Sequence, residues 1–94
     1  MDHSQAQDLL ESTHDFPGIY MFKVVGWQRN DFVERVLNSA RAVIGRAIEV
    51  QHSTRETSSG RHIAVTMEPF VDNSDQVLEI YEHLKNVDDV IMLW

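Results

Sequence analysis

Between Gly18 and Gly26 the chain reads Ile-Tyr-Met-Phe-Lys-Val-Val, β-branched, aromatic or otherwise apolar except for Lys23, and it continues through Gly26 into Trp27. A run this short and this apolar, set between glycines, predicts a strand over 19–27 that is buried on both sides. With 94 residues there is material for a single core, in which a chain of this size buries roughly 60 to 65% of its unfolded surface. That strand therefore belongs near the centre of the core, and the remaining elements must be arranged around it.

Asn30 can cap the next segment, Asp31 and Glu34 suit its positive end, and Phe32, Val33, Val36, Leu37, Ala40, Val43 and Ile44 recur at helical spacing. Gly45 supplies the stop. Ala47–Ser53 alternates as a half-exposed strand, Thr54–Gly60 closes a hairpin, and Arg61–Pro69 alternates again with Ile63, Val65 and Met67 on one side. Pro69 ends that strand. Asn73 or Ser74 caps a second helix whose stripe is Val77, Ile80, Tyr81, Leu84 and Val87, and Asn73 with Gln76 has the form of a capping box. Val90–Trp94 makes the last strand. The predicted class is α+β: a ferredoxin-like β-α-β-β-α-β sandwich with two helices on one face of a four-stranded antiparallel sheet. Residues 1–15 lack a sustained period and predict a frayed arm with one helical turn at Asp8–Ser12. Residues 16–94 form the single domain.

Such a sheet leaves its second face open. Alternation puts Tyr20, Phe22 and Val24 under the helices and Ile19, Met21, Lys23 and Val25 on the open side, where Ala64 adds to an apolar patch large enough to need a partner or cover by the arm. A lysine in that strand is costly unless its amine reaches water or a carboxylate, and Glu68 on the neighbouring strand is the expected counter-ion. Lys23 is otherwise an anchor for an acidic ligand or partner.

Fifteen acidic against eight basic residues give a net charge of −7, the wrong sign for a protein that neutralises phosphates or an anionic membrane surface. The absence of cysteine excludes disulfides, thiolate nucleophiles and Cys-based metal centres, and suits a reducing, cytoplasmic setting. No run approaches the roughly 18 apolar residues of a membrane helix, and the first residues carry no secretory signal. The histidines do not converge: His3 and His14 lie in the arm, His52 and His62 alternate onto opposite faces, and His83 stands alone on the second helix. No metal and no cofactor is expected. Neither a nucleophile elbow nor a Gly-rich phosphate loop occurs, so an enzyme is not expected.

Phe16-Pro17, Phe22-Lys23-Val24-Val25-Gly26, Ser58-Ser59-Gly60-Arg61-His62, Val77–Leu84 and Val90–Leu93, in this order and across about Phe16–Trp94, resemble the YbeD-like family, a domain of unknown function. Arg61-His62 stands where that family usually has Lys then Tyr, and Ala64 where it often has Ser. The resemblance implies a ferredoxin-like fold similar to the ACT domains, which bind small metabolites and switch the enzymes that carry them. It also implies a ligand corner after the first strand, at Gly26, Trp27 and Asn30, where helix amides suit an anion.

The candidate binding residues are therefore Lys23 on the open face, Gly26, Trp27 and Asn30 at the corner, and Ser59, Arg61 and His62 at the hairpin. The leading expectation is a non-enzymatic regulatory module that senses a metabolite or binds a protein, with a homodimer through strand edges or open faces as one arrangement. The alternatives are an RNA-binding module and a small ferredoxin-like enzyme. RNA binding is opposed by the charge and by an open face expected to hold Lys23, His62 and Thr66 but no aromatic pair.

Overall fold

The computed structural model describes residues 3–94. In chain order its elements are α1 (His3–Thr13), β1 (Gly18–Ile19), β2 (Phe22–Trp27), α2 (Phe32–Ile44), β3 (His52–Glu56), β4 (His62–Met67), β5 (Phe70–Val71), α3 (Ser74–Lys85) and β6 (Val90–Leu93). They make a mixed α+β domain with two antiparallel sheets, a four-stranded one in the order β3-β4-β2-β6 and a two-stranded β1-β5. The central place of the first long strand is as expected. Phe22 and Val24 from β2, with Ile63, Val65 and Met67 from β4, are buried against Phe32, Val36, Leu37 and Ala40 of α2 and Val77, Ile80 and Leu84 of α3. Both helices thus lie on one face of the larger sheet, and apolar burial along their stripes is what holds them there.

Three differences from the sequence reading have local causes. The run 19–27 is not one strand. It breaks at Tyr20-Met21, where the Tyr20 amide donates to the Pro69 carbonyl at 3.1 Å, so that Gly18 and Ile19 pair with Val71 and Phe70 instead of extending β2. The hairpin partner is not Ala47–Ser53 but His52–Glu56, an edge strand exposed at every residue. The turn sets this register: the Gly60 amide donates to Thr57 O at 2.9 Å and Thr57 N to His62 O at 3.0 Å, with Gly60 at φ 73°, so pairing runs back from Glu56 opposite Ile63. Val50 is buried beside the sheet without belonging to it.

The third difference is the arm. His3–Thr13 is a full helix laid on α3, held by Gln7 Nε2 donating to Asp75 Oδ1 at 2.7 Å and by Ser74 Oγ donating to Glu11 Oε1 at 2.9 Å. These are tertiary bonds, invisible to a periodicity argument confined to the segment. Met1, Asp2 and the side chain of His3, all part of the expected arm, lie outside the described residues. Because α1 sits on the helical layer, it does not cover the open face of the sheet.

The caps divide in the same way. Asn73 caps α3 through its side chain, accepting from Gln76 N at 3.0 Å, while Gln76 Oε1 accepts from Asp72 N at 2.8 Å, one residue before the reciprocal bond of a capping box. Asn30 does not cap α2. The N-cap is Asp31 in the left-handed region at φ 57°, and its side chain makes no cap hydrogen bond.

Candidate functional site

The open face is a grid of cross-strand rows fixed by the register. In the first, Trp94, Lys23, Thr66 and Ser53 lie side by side; in the second, Met92, Val25, Ala64 and Arg55; in the third, Asp89, Trp27, His62 and Thr57. Lys23 N donates to Trp94 O at 2.6 Å and Trp94 N to Lys23 O at 2.9 Å, which carries the first row one residue past the end of β6. Lys23 does not pair with Glu68. Its amine lies over the Trp94 ring, 5.4 Å from the centroid, because the β2–β6 pairing places that ring beside it. At the other end Trp27 packs on His62 with centroids 4.4 Å apart, and the Arg29 guanidinium lies 5.5 Å from the Trp27 ring centre. Trp27 remains 39% exposed, Trp94 50% and Met92 53%.

The sequence-predicted residues separate into a group that meets and a group that does not. Lys23, Trp27 and His62 share this face. Gly26 points the other way, into the core, where an added Cβ would strike the Phe32 ring and come within 2.6 Å of the Asp89 carbonyl. Its role is to let α2 approach β2. Ser59 and Arg61 stand at the hairpin tip, Ser59 Oγ 3.4 Å from both Thr57 Oγ1 and the Arg61 amide, while the Arg61 carbonyl accepts from Gln28 N at 2.9 Å.

At the corner expected to take a ligand, Arg35 fills the space. It donates to Asn30 O at 2.9 Å, Arg29 O at 3.2 Å, Asp88 O at 2.8 Å and Asp89 Oδ2 at 2.7 Å, and Arg29 pairs with Asp89 Oδ1 at 2.8 Å. Asn30, Asp31 and Asp89 all have positive φ, and their backbones are fixed by this knot. The Arg35 bond first and the Arg29 bond second hold the Asp89 carboxyl below the usual carboxylate range. Outside the knot a shallow cleft of about 290 Å³ is lined by Gln28, Arg29, Asp31, Phe32, Val33 and Glu34.

A second concavity was not anticipated. Between α1 and α3 lies an open, mainly apolar groove of about 340 Å³ walled by Leu9, Leu10, Leu78, Tyr20 and Tyr81, the two phenolic oxygens 3.4 Å apart. Burial, with the Tyr20 bond adding to it, pushes the Tyr81 phenol well above its ordinary value. Helix α1 supplies one wall of this groove, so reading residues 1–15 as an arm concealed it. Arg35 with Asp89 was also missed, since two residues so far apart in sequence leave no spacing signal.

A family model described as "Protein of unknown function (DUF493)" matches residues 11–94. The chain belongs to the DUF493 family. This is the family that the YbeD-like resemblance pointed to, and a curated DUF493 relative, a "UPF0250 protein" of Pasteurella multocida (strain Pm70), is 28% identical over 99% of each chain. Among solved structures this DUF493 chain is similar to the ACT domain from GTP pyrophosphokinase of Chlorobium tepidum, with a TM-score of 0.58 at 15% identity over 82% of this chain and 95% of that one. At that identity the likeness shows the ACT-like fold and nothing of the ligand.

Proposed function

We propose that this DUF493 protein is a non-catalytic, cytoplasmic binding module that uses the open face of its sheet to engage a protein partner. The unit that presents this face is β2-α2-β3-β4-α3-β6, a ferredoxin-like succession with β4 and β2 central. One observation carries the reading: the three rows put both tryptophans of the chain, with Met92 and Val25, on a face that no other element among the described residues covers. The ACT-like fold supports a regulatory setting, and the filling of the Gly26 corner by Phe32 and Arg35 favours the sheet face over the corner.

A second reading is favoured by the groove between α1 and α3, which is near the lower size of small-ligand pockets. There a metabolite with an apolar body and one polar group would meet Tyr20 and Tyr81. A thermal-shift screen reads this alternative, because ligand bound to the native state alone raises the melting temperature.

The partner reading is tested with a photo-crosslinking residue placed at Thr66, on the open face, or at Glu82, exposed on α3. Illumination in the host cell should give discrete adducts from Thr66 only. Equal adducts from both positions, or none from Thr66, would remove the open face from consideration.

A further inference from the structure

The charges on the open face differ from those of the chain as a whole. In a chain of net charge −7, the three cross-strand rows hold Lys23, Arg55 and His62 and one acid, Asp89 opposite Trp27, whose two carboxylate oxygens are taken by Arg29 and Arg35. The nearest acid along β4, Glu68, follows its last residue, Met67. Arg29, Arg35, Arg41 and Lys85 are neutralised by carboxylates in ion pairs. Of the other four cations, Lys23 and Arg55 lie in the rows, Arg61 at the adjoining tip and Arg46 apart from the face after α2, and none has such a partner among the described residues. Cations left uncompensated around the apolar row Met92-Val25-Ala64 are complementary to an apolar group bordered by negative charge.

We propose that the open face docks a segment of a partner protein in which an aliphatic side chain is flanked by carboxylates. This rests on the reading of the chain as a binding module. The aliphatic group lies on the Met92-Val25-Ala64 row, and the carboxylates reach Lys23 on one side and Arg55 on the other. Three other occupants fit less well. A second copy using the same face would set one cationic patch against another, since a two-fold interface pairs a patch with itself. Helix α1 is committed to α3. Single-stranded nucleic acid would stack bases on aromatic faces, but one flank of Trp27 is taken by His62 and Arg29, the middle row is aliphatic, and fifteen acidic residues repel a polyphosphate.

The test selects a bead-displayed library of random peptides against the full chain. Because both tryptophans stand on this face, binding of a synthesised selected peptide is read from their emission. Enriched sequences should place Leu, Ile, Val or Met beside Asp or Glu. The combined Lys23→Glu and Arg55→Glu reversal should weaken binding about tenfold with an unchanged circular dichroism spectrum, whereas Arg46→Glu should not.

The proposal is overturned if the selected peptides are basic, if affinity survives the double reversal, or if a uridine oligonucleotide displaces the peptide at equal concentration. Neutral apolar peptides that alter the emission, and lose binding with Val25→Asp, would overturn the acidic chemistry while leaving the binding module in place. A library that yields no binder overturns both.

Discussion

Gly26 shows how a residue's role depends on which face of the strand it occupies. The sequence places it at a corner suited to a ligand, but alternation through Lys23, Val25 and Trp27 turns it inward, against Phe32 and the Asp89 carbonyl. Gly26→Ala should therefore cost about 1 to 3 kcal/mol in urea denaturation, as an overpacked core does. Adding Phe32→Leu should restore only part of this, since the carbonyl contact stays. Asp89 gives a pH signature. Its carboxyl is depressed in the folded state by Arg35 and then Arg29, so its contribution to stability is present above the ordinary carboxylate range and is lost as the pH falls below that range and through the lower folded value. The stability difference between the wild type and Asp89→Asn should accordingly be largest near neutral pH and shrink below about pH 4. A gap that widens on acidification would reverse the sign assigned to this group.

At the scale of elements, what could be read from sequence was what burial dictates. Helices α2 and α3, the inward set Ile63, Val65 and Met67, and β6 follow from apolar spacing, because each owes its place to the core it covers. Strand β3 was misplaced for the opposite reason: His52–Glu56 has no buried side chain and is held by backbone pairing from the turn. Helix α1 was missed because its docking depends on Asp75 and Ser74, far along the chain. The register of the hairpin should thus depend on Gly60, whose φ of 73° suits glycine although the space around its Cα is open. Gly60→Ala should lower stability by about 1 kcal/mol and Gly60→Asn by less, measured by thermal unfolding. Equal stability for all three would remove the turn as the origin of the register.

Over the whole molecule, the site was legible in its parts and not in its assembly. Lys23, Trp27 and His62 could be chosen one by one, yet their company on one face with Trp94, Met92 and Arg55 depends on strand order and on the true position of β3. This assembly sets the charge of the rows that hold both tryptophans apart from that of the acidic chain as a whole, since Asp89, the one acid bonded into those rows, is paired with Arg29 and Arg35. On this reading the face presents positive charge to a partner despite the net charge of −7. Quenching of tryptophan emission by iodide and by caesium, compared at low ionic strength where charges are least screened, tests it directly. Quenching by the anion should be the stronger, with the advantage lost in the Lys23→Glu, Arg55→Glu protein. Stronger quenching by caesium in the wild type would mean that the overall negative field reaches this face and that its cations recruit nothing.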